Sequence, residues 1–349
     1  MPSRRIFILL TPLLVFSGCS ALGPGVSITM MAPAGSREAA KVKEVAVLPF
    51  DGTYGREVAS DIESILTSTQ LGSTPYFKVA DRTRTEAVMR EIRLSQSGLI
   101  SKDQSLRLGK LLGVKGIYTG TAGQPRIAQS HTFQTRDKCI EQAEKTKGGI
   151  LGELLRKCKK SVETKVKCTK TDATFSFTPK LIRVETGQIV FSKTMEGSTS
   201  HESCEDADSP PPTSSALAGQ AKAIALEQFR REVAPSSVSE RIQLFDSLPQ
   251  RESEASRVTY VKGLEFAKAN RMDRACEIWR EMDSQSDPGM VLKYSLGVCS
   301  EAEGDFDKAA KLYEAADRLT DKPEGHITAA LQRIRKALSS RVLLKQQLQ

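Results

Sequence analysis

The sequence has no apolar stretch long enough to cross a membrane as a helix. Its longest apolar run, from Ile6 to Phe16, has eleven residues, whereas a transmembrane helix needs about 20. Aromatic residues are scarce at 5% of the chain, and hydrophobic residues make up 39%, which is ordinary for a globular protein. The composition therefore predicts a soluble body and excludes a protein with several transmembrane helices.

Catalytic signatures are also missing. The chain contains no phosphate-binding loop, no His-Glu-x-x-His motif and no Gly-x-Ser-x-Gly motif. The acidic pair Glu205-Asp206 lies in a loop rich in serine and proline, where nothing would raise the pKa of one carboxyl group. A metal site built on His201, Cys204 and Asp206 lacks a second ligand pair of the usual spacing. We therefore predict no enzyme activity, no metal and no cofactor.

The chain begins in the manner of an exported protein. Two arginines precede the apolar run, and the small residues Ser17 and Gly18 stand between that run and Cys19. A positive start, a short apolar middle and a small-residue exit make up a secretory signal. Phe16 to Cys19 resemble the bacterial lipobox, with Phe16 in place of the usual leucine. The alternative is an ordinary signal peptide whose cleavage site lies near a cysteine.

The lipobox resemblance implies that residues 1–18 are removed and that Cys19 carries the lipid. Ser20, rather than aspartate, after the cysteine favours sorting to the outer membrane. Residues 19–42 mix Gly, Pro, Ala and Ser without a sustained period, which predicts a flexible tether. The sequence thus predicts a lipoprotein on the outer membrane, held by its acyl chains and facing the periplasm.

Residues 43–235 alternate strands with helices. An apolar strand at 43–50 is followed by a helix, a second strand, further helices and a strand at 114–123. Two long runs then face each other across Glu185-Thr186-Gly187, a three-residue connection typical of a hairpin. This order predicts an α/β domain, closed by a helix near its end. Residues 236–255 then form a predicted linker.

Four segments of this domain carry a family resemblance. "VAVLPF", "FKVADRTRTEAVMREIRLSQSGLI", "LGKLLGVKGIYTGTAG" and "LIRVETGQIVFSKT" follow one another in this order, and the domain resembles the CsgG family over about residues 43–235. That family includes the curli-secretion lipoprotein and shares its globular fold with LpoB-type activators of peptidoglycan synthases. The resemblance implies a CsgG/LpoB-like mixed sheet with flanking helices.

The pore-forming members of that family have membrane-spanning hairpins at two places. Here those places hold "RDKCIEQAEKTKGGILGELLRKCKK" and "HESCEDADSPPPTSS". Neither segment alternates apolar with polar residues as a spanning strand does. We therefore favour a protein-binding scaffold or regulator in cell-envelope assembly or secretion. The alternative is a component of an oligomeric curli-type secretion channel.

The C-terminal part of the chain, 256–349, is internally repetitive, with matching residues recurring at a period of 34. Such a period, with an early glycine, a central alanine and an aromatic residue four positions later, resembles the tetratricopeptide repeat. It predicts an all-α domain of helical hairpins, with a capping helix at about 328–345. Its helices either form a peptide-binding groove or support packing, on the first domain or on another subunit of a homo-oligomer. The recurring residues are Gly263 and Gly297, Ala275 and Ala309, and Trp279 and Tyr313.

Six cysteines remain when Cys19 is set aside. An even number in an exported chain favours disulfides. Six cysteines can pair in many ways, but pairing of residue 184 with residue 188 in the hairpin places Cys168 opposite Cys204. Apolar residues occupy even-numbered positions up to Cys168 and odd-numbered positions from Phe175 onward. Since alternate residues of a strand share a face, this change predicts a one-residue bulge between 168 and 175. The favoured pairs are Cys168–Cys204 by register, Cys139–Cys158 by elimination, and Cys276–Cys299 between successive repeat helices.

Positive charge is concentrated at residues 136–170, which carry eleven Lys or Arg against five Asp or Glu. A solvated loop is the simpler interpretation of this basic segment. The functional alternative is attraction to an anionic surface, whether phospholipid, lipopolysaccharide or an acidic protein, which would weaken with salt. No nucleic-acid-binding motif accompanies the charge in this exported chain, so nucleic acid is not a predicted partner.

Overall fold

The computed structural model describes residues 24–92, 102–142, 158–285 and 289–348. The chain divides into two compact units. The α/β unit comprises Met31–Ser236 with Val342–Gln349, and the helical unit comprises Met1–Met30 with Ser237–Arg341. Along the chain the elements are β1 (Gly25–Ala32), α1 (Arg37–Lys41), β2 (Glu44–Val47), α2 (Gly55–Ser68), β3 (Gln70–Leu71), β4 (Thr74–Pro75), β5 (Lys78–Val79), α3 (Arg82–Ile92), α4 (Lys102–Leu112), β6 (Gly116–Ala122), β7 (Arg126–Gln142), β8 (Cys158–Arg183), β9 (Ile189–Ser192), β10 (Met195–Cys204), α5 (Ser214–Val233), β11 (Ser236–Gln243), α6 (Glu254–Lys268), α7 (Met272–Gln285), α8 (Met290–Ala302), α9 (Phe306–Asp317) and α10 (Gly325–Leu348).

The α/β unit is built on a mixed sheet. Its strands follow the order β10-β8-β6-β2-β5, and β7 and β9 also pair with β8. Strand β2 runs parallel to β5 and β6, whereas β8 is antiparallel to every strand it pairs with. The mixed α/β architecture expected from the order of elements is therefore present.

Two apolar clusters pack on opposite faces of this sheet. Helices α2 and α5 cover one face, where Phe175, Phe177 and Phe229 are buried together. Helices α3 and α4 cover the other face, where Leu108 packs with Ile117. Because successive residues of a strand point to opposite faces, a strand covered on both sides reads as the continuous apolar run seen at 43–50.

The predicted tether and linker are both wrong in part. Strand β1 lies inside the predicted tether, and its Val26 and Ile28 are buried. Strand β11 lies inside the predicted linker and pairs with β1 in a separate two-stranded sheet. Helix α1 follows β1, capped by the Ser36 side chain, which accepts a hydrogen bond from the backbone of Ala39. The pairing of β1 with β11 could not be predicted from the sequence, because one strand precedes the α/β domain, the other follows it, and each is short.

A hairpin forms at the predicted place, but its turn is one residue longer, because Arg183 rather than residue 184 hydrogen-bonds to Gln188, and the predicted bulge between 168 and 175 is absent. Gly187 takes the left-handed conformation with φ of 68°, and β10 pairs with β8 in unbroken register from Met195↔Phe177 to Cys204↔Cys168. The irregularity lies elsewhere, between Leu181 and Ile182 opposite β9. Buried positions change from even to odd numbers because Cys168 is buried on one face of the sheet and Phe177 on the other. No register shift lies between them.

The helical unit contains two helix pairs, α6 with α7 and α8 with α9, followed by α10. In each pair a glycine of the first helix faces an aromatic ring of the second. A Cβ added at Gly263 would lie 2.4 Å from the Trp279 ring nitrogen, and one at Gly297 would lie 2.5 Å from a Tyr313 ring carbon. The residues that recur in the sequence therefore make the same close helix–helix contact in both pairs.

Candidate binding surfaces

Three disulfides link the six cysteines other than Cys19. Cys139 is joined to Cys158, Cys168 to Cys204, and Cys276 to Cys299. These are the pairs favoured by the sequence. The first two lie in the α/β unit and the third joins helices α7 and α8 of the helical unit. Cys19, the predicted lipid-attachment residue, lies outside the described residues.

Arg136 of β7 contacts the end of β10, which carries one cysteine of the second disulfide. Its guanidinium donates hydrogen bonds to both carboxylate oxygens of Asp206, at 2.8 and 2.9 Å, and to the sulfur of Cys204 at 3.3 Å. Cys204 is thus held in a disulfide and Asp206 in an ion pair that uses both of its oxygens. The two side chains considered as metal ligands beside His201 are engaged with other protein groups.

A long two-stranded ribbon, here called the β7–β8 ribbon, contains the described parts of the basic segment. Residues 126–142 pair with residues 158–174 from Arg126↔Thr174 to Gln142↔Cys158. The solvated loop expected at 136–170 is therefore wrong for both flanks, while residues 143–157 lie outside the described residues. Valine and threonine alternate with charged residues from 162 to 167 of β8, and β-branched residues suit a strand. The disulfide between Cys139 and Cys158 joins β7 to β8 covalently at the end of the ribbon far from Arg126.

The two faces of the ribbon differ in how their charges are used. On one face, Arg136 pairs with Asp206, and the Lys170 ammonium lies 3.2 Å from an Asp172 carboxylate oxygen. Hydrogen bonds from Ser200 and then from Lys170 lower the pKa of the Asp172 carboxyl group. Two of the cations of this face are therefore paired with neighbouring carboxylates.

The opposite face, called the Phe133 face, exposes an aromatic ring beside lysines. Phe133 is 67% exposed and lies directly opposite Lys167, while Thr135 lies opposite Lys165. Residues paired across an antiparallel ribbon share a face, so these side chains are neighbours. Neither lysine forms an ion pair with a described residue. The next pair along this face is acidic, Asp137 with Glu163, so the Phe133 face carries exposed charges of both signs.

The predicted repeat-core residues of the helical unit are all buried. Trp279 stacks on Tyr260, with 5.6 Å between ring centroids, and its ring N–H donates a hydrogen bond of 3.2 Å to the Tyr260 carbonyl. These residues build the interior, so contact with a partner must use other side chains. The buried set is Gly263, Ala275, Trp279, Gly297, Ala309 and Tyr313.

Sequence reasoning missed a buried ion pair in the same unit. The Arg333 guanidinium on α10 donates to the Glu301 carboxylate on α8 at 2.7 and 2.9 Å, and the Tyr313 hydroxyl donates to Glu301 at 2.6 Å. Burial disfavours the charge of Arg333, but its bonds to Glu301 outweigh that cost and raise its pKa. Burial, with the charge of Glu301 second, raises the pKa of Tyr313. In the sequence, a glutamate and an arginine on separate helices give no signal that distinguishes them from surface charges.

An apolar strip remains on the outer side of α6. Val258 is 60% exposed and Val261 is 37% exposed, and the exposed Lys262 and Glu265 lie beside them on the same helix. Positions three and four apart fall on one face of a helix. The two valines therefore form a small exposed apolar strip bordered by charged residues.

None of the helices in the described ranges has both the length and the apolar character that a membrane crossing requires. No protein-family model matches the chain, and no curated protein does either. Among solved structures, it is similar to the LpoB C-terminal domain from Salmonella enterica, with 10% identity over 47% of this chain and 94% of that chain and a TM-score of 0.25. The NMR structure of E. coli LpoB matches with 10% identity over 56% and 81% and a TM-score of 0.26. The PelC dodecamer from Paraburkholderia phytofirmans matches with 13% identity over 60% and 99% and a TM-score of 0.23.

Proposed function

We propose that this protein is a lipoprotein anchored to the outer membrane and facing the periplasm. In this proposal it binds other proteins during cell-envelope assembly or secretion and has no catalytic activity of its own. The observation that carries the proposal is the pairing of the cysteines. Six of the seven cysteines form three disulfides, which leaves Cys19 available for acylation.

The disulfides support export because such bonds persist in oxidising compartments and are rare in the reducing cytosol. A cysteine directly after an export signal, and outside these disulfides, then has an obvious use as an attachment point for lipid. Stable anchoring of this kind takes more than one acyl chain. A triacylated Cys19 supplies that number without a transmembrane helix.

The start of β1 limits how far the body can move from such an anchor. Strand β1 begins at Gly25, so only six residue steps separate it from Cys19. At full extension this chain spans about 20 Å. The protein therefore acts close to the membrane surface, rather than at the end of the long tether that the sequence predicted.

Loss of the acylation site is expected to release the protein. In the proposed state, the wild-type chain fractionates with outer membranes, resists extraction by salt and is extracted by detergent. Cys19→Ser removes the thioether, so the variant loses that membrane association. Mass spectrometry of the wild-type N-terminus should show a diacylglyceryl cysteine at position 19.

The matched control removes two other cysteines. The double variant Cys139→Ser with Cys158→Ser should keep both the lipid and the membrane fraction, because its bond lies at the end of the ribbon. An unmodified Cys19 in the wild type, or an N-terminus at another residue, would contradict the anchor.

The protein-binding role is expected to use the apolar strip of α6. A photo-crosslinker in place of Lys262, expressed in intact cells, should trap a discrete partner, whereas the same group at the exposed Lys311 of α9 should not. Adding Val258→Asp to the Lys262 crosslinking variant places a charge in the strip and should abolish the crosslink. A crosslink that survives Val258→Asp would remove this strip as the binding surface.

A component of an oligomeric secretion channel is the second candidate. The observation that favours it is the β7–β8 ribbon, since its paired strands, 126–142 and 158–174, include both flanks of the basic segment that the sequence predicted as a solvated loop. Ring-shaped oligomers in detergent with conductance in liposomes would establish the channel. A monomer without conductance would leave the scaffold or regulator.

A further inference from the structure

We propose that the helical unit binds an extended apolar peptide of a protein partner, on a face that residues 242–248 of the chain cover in this structure. The proposal deepens the proposed protein-binding function and rests on it, because it adds a second surface and states the chemistry of the partner. Two observations carry it: repeat-related tyrosines bind backbone carbonyls of this covering segment, and its apolar side chains are buried among the helices.

Two tyrosines at equivalent positions of the helix pairs hold the backbone of the covering segment. Tyr260 on α6 and Tyr294 on α8 are separated by the 34-residue period of the repeat. The Tyr294 hydroxyl donates a hydrogen bond of 2.7 Å to the Gln243 carbonyl. The Tyr260 hydroxyl donates a hydrogen bond of 3.0 Å to the Phe245 carbonyl. The bonded carbonyls are two residues apart, which is the period of an extended chain, so each helix pair binds one of them.

The apolar side chains of the covering segment pack against the same helices. The Phe245 ring meets those of Tyr294 and His326 edge to face, with centroid distances of 5.2 and 5.0 Å. Asp246 and Ser247, by contrast, are exposed. Bonds to the main chain together with pockets for selected side chains are the means by which extended peptides are recognised. The buried aliphatic residues of the segment are Ile242, Leu244 and Leu248.

The bonds that hold the covering segment can be made by another peptide. Both tyrosines bind backbone carbonyls, which every residue carries, so a partner needs only aliphatic residues around one aromatic residue. Residues 242 and 243 end strand β11, whereas residues 244–248 form neither helix nor strand. Connecting segments of this kind open at a lower free energy than the whole domain. Because the segment is tethered beside the face, its local concentration is high, and a free peptide must compete with it.

The test uses residues 19–349 with Cys19→Ser and a fluorescein-labelled peptide with the sequence of residues 240–250. Fluorescence anisotropy reports binding, which should be weak while the covering segment is intact. Phe245→Ala in the protein removes two ring contacts of the competing segment. The labelled peptide should therefore bind this variant about 10-fold more tightly.

Two changes in the peptide and one control in the protein locate the site. Alanine in place of the peptide's phenylalanine should weaken its binding to the Phe245→Ala protein about 10-fold. A benzophenone at that position should crosslink to α8 or α10, which carry Tyr294 and His326. Asp246→Ala with Ser247→Ala changes two exposed residues of the covering segment, and this control should bind the peptide as weakly as the unaltered segment does.

Thiol labelling shows whether the covering segment opens without unfolding of the unit. Leu244→Cys places a buried thiol in the segment, and Leu264→Cys places one at an equally buried position of α6. Each variant is treated with a maleimide under native conditions. The thiol at position 244 should react at least about 10-fold faster, because local opening exposes it while α6 stays folded.

Equal labelling of the two thiols would make the covering segment a fixed part of the core and would overturn the proposal, whether or not Phe245→Ala folds. So would equal peptide affinity of Phe245→Ala and the Asp246→Ala, Ser247→Ala control, with both shown by Trp279 fluorescence to unfold cooperatively. Because the tested chain cannot be acylated and its α6 strip is unaltered, these results are independent of the lipid anchor and of the crosslink at Lys262.

Discussion

Replacing Arg333 with methionine is expected to lower the free energy of unfolding of the helical unit by about 3–5 kcal/mol. The Glu301 side chain is fully buried and that of Arg333 is 9% exposed. Without Arg333, a carboxylate would stay in the interior with the Tyr313 hydroxyl as its remaining side-chain donor among the described residues. An unpaired buried charge costs much more than the intact pair contributes, because desolvation is no longer offset.

Trp279 reports this change directly. It is the single tryptophan of the chain and is fully buried in the helical unit, so its fluorescence during urea unfolding follows that unit. Arg341→Met is the matched control on the same helix. Arg341 pairs with Asp307 at 2.7 Å, but both side chains are more than half exposed, and we expect a loss below about 1 kcal/mol.

A second substitution separates the ion pair from simple packing. In the double variant Arg333→Met with Glu301→Leu, both charges are gone, and apolar residues of similar size often replace a buried pair without loss. We expect the double variant to recover most of the stability lost in Arg333→Met. Equal stability of Arg333→Met and Arg341→Met would show that the Glu301 carboxylate is solvated or protonated in the folded protein.

The features that could be predicted from the sequence are those set by local rules. The glycine at 187 located the hairpin, and the predicted pairing of Cys168 with Cys204 holds because an irregularity between Leu181 and Ile182 offsets a turn one residue longer than predicted. The recurrence of Gly263 and Gly297 could be recognised because each repeat makes the same helix contact. In both cases the partners belong to neighbouring elements of the chain.

The features that could not be predicted depend on partners far apart in the chain. The sequence of β1 alone predicts a tether, because its partner strand β11 lies beyond the whole α/β domain. The two short strands share no sequence pattern that would predict their pairing. The Glu301–Arg333 pair is equally hidden, since burial of two charges depends on how three helices meet. The basic segment was predicted as a loop for a related reason. Whether a segment forms a strand depends more on the neighbouring strand than on the composition of the segment itself.

Removal of the disulfide between α7 and α8 is expected to destabilise the helical unit by about 2–4 kcal/mol. Cys276 and Cys299 are 23 residues apart and both are buried. The bond restricts the unfolded chain, and the variant Cys276→Ala with Cys299→Ala also loses buried sulfur contacts. Urea unfolding followed by Trp279 fluorescence should therefore show a lower midpoint.

The control removes the same number of cysteines from the other unit. Cys139→Ala with Cys158→Ala opens a bond of similar span, 19 residues, but at the end of the exposed ribbon in the α/β unit. The Trp279 transition should not move, because that probe lies in the helical unit, whereas proteolysis near residue 139 should become faster. If both double variants lowered the Trp279 midpoint equally, the two units would unfold as one cooperative body, and the Cys276–Cys299 bond would have no special part in holding the helical repeat together.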